Sequence, residues 1–296
     1  MNKGIVLAGG YGTRLYPSTK VISKQLLPLY DKPMIYYPIS VLMLANIKEI
    51  LIISDPENIS YFKKLLGRGN NFGVKFCYEV QEKPDGIATT FIIAEKFIGS
   101  SNVCLILGDN LFFGSGFSNV LRTASKNING AHIFAYEVND PSRFGVVEIN
   151  SKNDIIDIKE KPKNPKSNYA VTGLYFYDNS VIDIAKKIKI SKRGEREITD
   201  VNKAYFNNKS LRVTILGRGF TWLDTGTPDS FLTGSQLIQT FIKKQGLQIA
   251  CLEEIALRKK WISVQKLKEQ NFINYDNDYA RYLKQLISLK AYNRIL

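Results

Sequence analysis

Residues 3–33, KGIVLAGGYGTRLYPSTKVISKQLLPLYDKP, contain the pattern that decides the fold. The run from Lys3 to Ala8 is short and apolar, as in a buried β-strand, and a glycine-rich turn follows it directly. Glycine lacks a Cβ, so the backbone N–H groups of such a turn can approach phosphate oxygens closely. Arg14 and Lys24 come next and carry side chains that suit phosphate. The stretch therefore predicts either a phosphate cradle or an ordinary tight connection after a strand.

The glycine turn matches neither of two common nucleotide-binding motifs. No third glycine falls in the register of Gly-x-Gly-x-x-Gly, and no Gly-Lys-Ser or Gly-Lys-Thr closes a Walker motif. The turn together with its continuation, KQLLPLYDKPMIYYP, resembles the sugar-nucleotide pyrophosphorylases, in particular the glucose-1-phosphate thymidylyltransferases. Further motifs extend this resemblance from Lys3 to about Lys259.

Composition and cysteine usage limit the class of protein. The chain has 296 residues, of which 44% are hydrophobic, enough to bury a large core. The three cysteines are few and widely spaced, which favours reduced thiols over a disulfide framework or a zinc site. No apolar run is long enough to span a bilayer, and glycines interrupt the N-terminal run too early for a signal peptide. We therefore expect a cytoplasmic protein without a membrane partner.

The formal net charge of +14 raises the question of a nucleic-acid partner. The Lys and Arg residues are scattered, and the sequence carries no helix-turn-helix, zinc-finger or single-strand-binding signature. We expect a solvated basic surface that favours small anionic substrates, and no nucleic acid. The single histidine, His132, lies in the apolar stretch AHIFAYEV, which predicts a strand residue rather than a catalytic base.

Apolar segments alternate between two periodicities along the first third of the chain. Strand-like runs lie at 3–8, 49–54, 74–80 and 103–107, and helix-like segments at 33–47, 57–66 and 86–97. This alternation predicts an α/β fold with helices on both faces of a parallel sheet and ligands at the carboxyl ends of its strands. The resemblance implies a Rossmann-like, three-layer nucleotidyltransferase (GT-A-like) fold with a mostly parallel, mixed central sheet.

The chain is expected to have two parts without a flexible linker between them. Residues 1–227 would form the catalytic core with sugar-phosphate-binding insertions, and residues 228–296 a C-terminal helical appendage packed on it. In the family this appendage helps to build a homotetramer and a second, regulatory nucleotide site. The matching segment, QIACLEEIALRK, departs from the family pattern at Leu257, and Lys260 stands just after it where glycine is usual. Amphipathic helices packed on their own core are the alternative interpretation.

Two aspartates follow predicted strands far apart in the sequence. Asp109 follows VCLIL in LGDNLFFGSGF, and Asp224 ends the strand in FTWLDTGTPDSF. Carboxylates at strand ends can ligate a hard cation, although an Asp-Asn turn without a metal is equally compatible with the first motif. If the two strand ends face one cleft, a Mg²⁺ ion held by both aspartates is the simplest explanation, and the resemblance also implies a magnesium ligand at Asp109.

The resemblance also implies nucleotide and sugar contacts, although each motif alone could be an ordinary loop or turn. The segment RGEREITDVN, residues 193–202, carries Arg196 where the family has leucine. Catalytic roles are expected for Arg14, Lys24 and Lys161. Nucleotide contacts are expected from Leu7, Ala8, Gly9, Gly10, Gly12, Thr13, Arg14, Gln25, Gln81, Pro84, Asp85 and Gly86. Sugar-phosphate contacts are expected from Asn110, Gly145, Glu160, Lys161, Val171, Tyr175 and Glu197.

The activity that this resemblance implies is the Mg²⁺-dependent synthesis of dTDP-glucose and pyrophosphate from dTTP and α-D-glucose 1-phosphate, the first step of a dTDP-deoxysugar pathway. A uridylyltransferase or other sugar-1-phosphate nucleotidyltransferase is the alternative within the same reaction class. A non-catalytic sugar-nucleotide sensor is a further alternative, and it would be marked by loss of Arg14, Lys24, Asp109 or Asp224. All four residues are present.

Overall fold

The computed structural model describes residues 2–126, 128–152 and 154–290. In these ranges the β-strands follow the short apolar and alternating runs of the sequence. They are β1 (Asn2–Leu7), β2 (Pro28–Leu29), β3 (Lys32–Pro33), β4 (Glu49–Ser54), β5 (Lys75–Val80), β6 (Asn102–Leu107), β7 (Asn110–Gly114), β8 (Ala131–Glu137), β9 (Gly145–Ile149), β10 (Ile155–Glu160), β11 (Tyr169–Tyr177), β12 (Leu211–Leu216) and β13 (Phe220–Asp224).

The helices of the first 210 residues connect these strands, and four more follow β13. They are α1 (Tyr36–Leu44), α2 (Ile59–Leu66), α3 (Thr89–Ile93), α4 (Glu95–Ile98), α5 (Phe117–Ser125), α6 (Val181–Lys187), α7 (Ile198–Asn207), α8 (Pro228–Gln245), α9 (Leu252–Arg258), α10 (Val264–Lys268) and α11 (Asp278–Ser288).

A mixed sheet of nine strands forms the centre of the molecule. The strand order is β10-β9-β11-β6-β1-β4-β5, with β8 paired to β11 and β12 paired to β8. The N-terminal strands β6, β1, β4 and β5 are mutually parallel, and β12 is parallel to β8, whereas β11 runs antiparallel to its three neighbours. The predicted α/β fold with a mixed sheet is therefore confirmed.

Alternation along the strands produces two hydrophobic layers. In β1, Ile5 faces one cluster and Val6 the other, because successive side chains of a strand point to opposite faces. One cluster receives α1, α2, α5 and α9, and the other receives α3, α4, α6 and α7. Helices therefore cover both faces of the sheet, and its strand ends remain open for a site.

Two of the predicted helices differ from the structure. The segment 33–47 is helical only over Tyr36–Leu44, because β3 occupies Lys32–Pro33 at its start. The segment 86–97 does not begin as a helix, because Gly86 has a φ of 114° and lies in a turn. Helix begins at Thr89 and is interrupted at Ala94.

The C-terminal helices pack on the rest of the chain through buried apolar residues. Helix α8 begins with Thr227 as N-cap and Pro228 at its first turn, as the sequence favours. Its buried Ile238 lies in a cluster with Leu29 and Tyr37, and α9 lies in the same cluster as α1. None of the helices in the described part of the chain is both long and apolar enough to cross a membrane.

Candidate active site

The glycine turn lies at the carboxyl ends of two neighbouring parallel strands. Leu7 pairs with Leu107, so β1 and β6 end side by side, and the Gly108 N–H donates to the Leu7 carbonyl at 2.8 Å. Gly10 and Gly12 have φ values of 101° and 58°, which L-residues with side chains rarely adopt. A short 3₁₀ turn at Thr13–Leu15 then carries Arg14.

Lys24 lies against Asp109 across this strand edge. A second 3₁₀ turn, Lys24–Leu26, follows the glycine loop, and the Lys24 ammonium donates to the Asp109 carboxylate. Their side chains are 11% and 14% exposed. Burial opposes ionisation of Asp109, but the Lys24 charge and the Asn110 amide outweigh it and hold the pKa of Asp109 below its ordinary value.

Asp224 reaches the same place through a separate two-stranded sheet. Strand β13 pairs antiparallel with β7 so that Asp224 is opposite Asn110. The next residue, Thr225, fixes this crossing, because its N–H and its hydroxyl both donate to the Asp109 carbonyl, at 3.1 and 2.7 Å. Burial raises the pKa of Asp224, and the negative charge of Asp109 raises it further.

Arg14 also converges on Asp224. A Cβ placed at Gly226 would lie 2.6 Å from Arg14 Nη2 and 3.0 Å from Asp224 Oδ1, so both side chains crowd against this glycine. Arg14 and Asp224 line one cavity of about 480 Å³. Guanidinium, ammonium and two carboxylates from four separated segments therefore meet at one strand edge.

The donor set at this edge fits a magnesium ion bound partly by substrate. No group of three or more His, Cys, Asp or Glu residues suited to a metal is found in ranges 2–126, 128–152 and 154–290. Mg²⁺ usually binds through one or two carboxylates and fills its other positions with water and phosphate oxygens. Asp109 and Asp224 provide two such carboxylates. Burial and the Asp109 charge raise the pKa of Asp224, and the charges of Lys24 and Arg14 offset this only in part.

The cavity extends from the aspartates to strands β9, β10 and β11. It is lined by all seven residues expected at the sugar phosphate, and by further residues for which no substrate contact was expected. The predicted ones are Asn110, Gly145, Glu160, Lys161, Val171, Tyr175 and Glu197, and the additional ones are Ile87, Leu107, Arg143, Phe144, Gly173, Arg193, Glu195, Ile198, Thr199 and Trp222.

Glu160 is held in place by neighbours on both of its carboxylate oxygens. Oε2 accepts from the Thr199 hydroxyl at 2.5 Å, and Oε1 accepts from Arg193 Nη1 at 3.2 Å. A Cβ at Gly145 would lie 2.9 Å from Thr199 Oγ1, so only glycine leaves room for this pair. Glu160 is thereby fixed with its carboxylate at the cavity, where it can accept hydrogen bonds from hydroxyls.

Lys161 is a second exposed cation beside Glu160, in addition to Arg193. Its φ of 40° is unusual for a residue with a side chain, and its N–H donates to the Phe144 carbonyl at 3.0 Å. The ammonium lies 4.0 Å from Glu160 Oε1, and 43% of the side chain is exposed. Because the ammonium is exposed and only weakly paired, it is available to an anion. Strained backbone of this kind is found most often at functional sites.

The Asn110 side chain is a structural anchor of the cavity wall. Its Oδ1 accepts from the Gly173 N–H at 3.1 Å and from Trp222 Nε1 at 2.6 Å, and its Nδ2 donates to Asp109 Oδ1 at 3.0 Å. Tyr175 forms another part of the wall, and burial together with the charges of Glu160 and Asp109 raises its pKa well above the ordinary value.

The residues expected at the base lie beside the glycine turn. Gln81 directly follows β5 and is buried. A Cβ added at Gly9 would lie 3.1 Å from Gln81 Oε1. Pro84 is exposed, whereas Asp85 and Gly86 are half-buried beside Gln81. Gln25 is buried beneath Gly108 and accepts from the Ser23 hydroxyl.

The functional candidates that sequence reasoning missed have little local signal. Arg193 and Thr199 lie in the segment 193–202 on either side of Glu197, but their contacts with Glu160 depend on how this segment folds against β10, which the sequence does not indicate. Trp222 was not missed: its sequence position is interpreted as core or pocket wall, and it lines the cavity two residues before Asp224, since residues two apart on a strand share a face.

Comparison with known proteins gives consistent results. A family model described as nucleotidyl transferase matches residues 3–240. A glucose-1-phosphate thymidylyltransferase from Neisseria meningitidis serogroup A is 55% identical over 285 residues, which cover 96% of this chain and 99% of that protein. One from Mycobacterium tuberculosis strain H37Rv is 48% identical with the same two coverages.

Solved structures resemble the fold over about four fifths of the chain. A Bacillus anthracis protein assigned as a glucose-1-phosphate thymidylyltransferase, crystallised with sucrose, has a TM-score of 0.74 and 43% identity. It is matched over 80% of this chain and 95% of that one. A UDP-glucose pyrophosphorylase complexed with UDP-glucose has a TM-score of 0.72 and 25% identity, over 81% of this chain and 99% of that one.

Proposed function

The chain belongs to the nucleotidyl transferase family and, within it, to the glucose-1-phosphate thymidylyltransferases, and from this premise we propose how its site works. It is an enzyme that forms dTDP-glucose and pyrophosphate from dTTP and α-D-glucose 1-phosphate. The observation that supports the mechanism best is the meeting of Arg14, Lys24, Asp109 and Asp224 at one strand edge, next to a cavity bordered by Glu160 and Lys161.

The reaction is an in-line displacement at the α-phosphorus of dTTP. An oxygen of the sugar phosphate forms the new bond to phosphorus, and the bond from that phosphorus to the bridging oxygen of the pyrophosphate breaks. The second pKa of a phosphate is about 6, so the attacking oxygen is already anionic at neutral pH and no general base is required. The protein has to supply orientation and neutralisation of charge.

The side chains divide this work by position. Arg14 and Lys24, beside the glycine turn, neutralise the triphosphate as negative charge accumulates on the leaving pyrophosphate. Lys161, at the far side of the cavity, holds the attacking sugar phosphate, and Glu160 accepts hydrogen bonds from sugar hydroxyls. Asp109 and Asp224 would hold Mg²⁺, which when bound neutralises charge on the phosphate oxygens.

The glycine turn and the loop after β5 bind the nucleotide in this proposal. Backbone N–H groups of the turn contact the phosphates, and Gln81 with Gly86 reads the pyrimidine base. The full nucleotide set is Leu7, Ala8, Gly9, Gly10, Gly12, Thr13, Arg14, Gln25, Gln81, Pro84, Asp85 and Gly86, and the sugar-phosphate set adds Asn110, Gly145, Val171, Tyr175 and Glu197.

The proposal includes the setting of the enzyme. We place the division between core and helical appendage at residue 227, and the product enters a dTDP-deoxysugar pathway such as that to dTDP-L-rhamnose. The enzyme assembles as a homotetramer through the appendage. It works in the cytoplasm, consistent with the free thiols of Cys77, Cys104 and Cys251.

Pyrophosphate release tests this function. With dTTP and glucose 1-phosphate the wild-type protein should release pyrophosphate, and chelation of Mg²⁺ should stop the release. A panel of dTTP, UTP, ATP and GTP separates the alternatives: preference for UTP favours a uridylyltransferase, preference for a purine contradicts the assignment of the base site, and no turnover with any nucleotide favours a sensor.

A further inference from the structure

The loop expected to read the base is clamped by the segment that ends at the sugar cavity. The Arg196 N–H donates to the Asp85 carbonyl at 2.8 Å, and the Ala88 N–H donates to the Arg196 carbonyl at 3.2 Å. A Cβ at Gly86 would lie 2.4 Å from both the nitrogen and the oxygen of the Arg196 backbone. The loop 81–88 and the segment 193–197 therefore pack backbone to backbone.

The Asp85 carboxylate lies between two side chains of this clamp. Its Oδ1 accepts from Gln81 Nε2 at 3.1 Å, and its Oδ2 lies 3.8 Å from Arg196 Nη1. Gln81 Nε2 also approaches the Gly86 carbonyl, at 3.5 Å. The Arg196 side chain is only 29% exposed, and its Nε is buried without a hydrogen-bond partner among the described residues, so Asp85 Oδ2 at 3.8 Å is the charged group that its guanidinium approaches.

This arrangement fixes which end of the Gln81 amide faces which way. An ionised carboxylate and a backbone carbonyl can only accept hydrogen bonds, so the end that faces Asp85 and Gly86 must be the NH₂ group. The amide oxygen consequently points away from them, toward Gly9 of the glycine turn, as its distance of 3.1 Å from a Cβ at that position shows. Gln81 therefore presents an acceptor on the nucleotide side of the loop.

An acceptor at this point distinguishes between pyrimidines. Thymine and uracil carry an N–H donor at N3, whereas the N3 of cytosine is itself an acceptor. A carbonyl oxygen aimed at N3 would bind the first two and repel the third. A site in which buried polar groups are matched to one pattern rejects the other pattern strongly, because the mismatch leaves those groups unpaired.

We infer that Asp85 and Arg196 are positioning residues that lock the Gln81 amide and thereby select thymine or uracil over cytosine. The inference rests on the proposed function, because it takes Gln81 as the reader of the base. Arg196 acts one step removed: its charge holds Asp85 in the orientation that accepts from Gln81. Arg196 stands where the resembling family has leucine, and leucine could not pair with Asp85.

The test compares dUTP with dCTP, which differ only at the edge formed by N3 and C4 of the base. We measure kcat/KM for each nucleotide with glucose 1-phosphate in the wild type, Asp85→Asn, Arg196→Leu and Arg196→Lys. Asparagine at 85 can present either an oxygen or an NH₂ group to Gln81, so the amide is free to turn over. The wild-type preference for dUTP should fall about tenfold in Asp85→Asn and about threefold in Arg196→Leu, and the lysine variant should retain most of it.

A matched control and a second readout separate positioning from damage to the fold. Glu82→Gln removes an exposed carboxylate from the same loop and should leave the dUTP preference unchanged. The KM for glucose 1-phosphate should also stay within about twofold in Asp85→Asn, because Asp85 does not line the sugar cavity. Equal losses for both nucleotides together with a raised sugar-phosphate KM would assign Asp85 a merely structural role and overturn the inference.

Binding measurements keep the inference falsifiable if turnover is lost. Calorimetric titration of each variant with dUTP and dCTP should show the same fall in the preference for dUTP. A ratio of the two dissociation constants that is unchanged in both Asp85→Asn and Arg196→Leu would contradict the inference. Failure of the proposed function has a different signature: the wild type would then release no pyrophosphate from dTTP and glucose 1-phosphate, whatever its preference between dUTP and dCTP in binding.

Discussion

The ammonium of Lys24 forms an ion pair with the carboxylate of Asp109, and the two side chains are only 11% and 14% exposed. Removing two charges from water is costly, and their attraction repays the cost only when the pair is intact. Burial raises the pKa of the neighbouring Asp224, and the charge of Asp109 raises it further, while Lys24 offsets this only in part. The ionised carboxylate of Asp224 therefore costs stability at the same edge of the sheet where we propose that it serves catalysis.

Asp224→Asn should stabilise the fold and remove Mg²⁺-dependent turnover. Because burial and the Asp109 charge raise the folded-state pKa of Asp224, its ionisation costs stability once the pH rises above the unfolded pKa of about 4. The variant should melt at a higher temperature than the wild type at pH 7 and lose this advantage below pH 4. Calorimetric melting curves at the two pH values and a pyrophosphate assay check the claim. Wild-type turnover would remove Asp224 from the site.

Lys24→Gln should have the opposite effect on stability. Without the ammonium, Asp109 is a buried and unpaired carboxylate, and breaking such a pair costs about 3 kcal/mol in the free energy of unfolding. The pKa of Asp109 is lowered in the folded state, so its contribution is present above the unfolded pKa and is lost as the pH falls through the folded value. Urea titrations should show the full deficit at pH 7 and a deficit that shrinks as the pH falls below the unfolded pKa of about 4. Lys20→Gln, at an exposed position, is the control and should show no deficit.

Gly86→Ala should strongly lower kcat/KM for dTTP, because the added methyl group clashes with a neighbouring backbone as well as straining the φ angle. The new methyl group would lie 2.4 Å from the Arg196 backbone, so the loop 81–88 must move. We expect kcat/KM for dTTP to fall at least about a hundredfold, since displacements of about 1 Å at a site have such effects. Gly67→Ala is the matched control, because Gly67 also has a positive φ but has open space around it. Equal activities of the two variants would contradict the assignment of this loop to the base.

Lys260→Gly should stabilise the protein by about 1 kcal/mol. Lys260 follows the end of α9 with a φ of 57°, and its N–H donates to the Leu257 carbonyl at 2.9 Å, so it occupies the position after a helix where glycine is strongly favoured. Denaturant titration measures the gain. Lys260→Ala removes the same charge but keeps a Cβ, and it should therefore gain nothing; a gain equal to that of the glycine variant would show that charge, not backbone strain, is responsible.

The parts of the fold that the sequence predicts are those that local patterns determine. Strand β4 is found at Glu49–Ser54 as predicted, because a buried apolar run bounded by polar residues has few other solutions. The helix prediction for 86–97 is wrong at its start because Gly86 packs against the backbone of Arg196. That residue is more than a hundred positions away, so no local pattern contains the contact. The start of α1 is likewise not determined by local pattern, because strand β3 occupies Lys32–Pro33 in the apolar segment where the sequence predicts the helix to begin.

The candidate site divides in the same way. Asp109 and Asp224 line one cavity. The sequence predicts this arrangement on the condition that the two strand ends face one cleft. Their role as metal ligands stays a prediction. Thr199 on α7 and Arg193 in the turn before it hold Glu160 only because this part of the chain packs against β10, and no local pattern indicates those contacts.

A double-mutant cycle between Arg14 and Asp224 tests the central claim, that separated segments act together on one phosphorus atom. We measure kcat/KM for pyrophosphate release from dTTP and glucose 1-phosphate at saturating Mg²⁺ in the wild type, Arg14→Met, Asp224→Asn and the double variant. Residues that stabilise the same transition state are strongly non-additive, so the loss in the double variant should be far smaller than the product of the two single losses. Losses that multiply, or an unchanged activity in either single variant, would contradict the account.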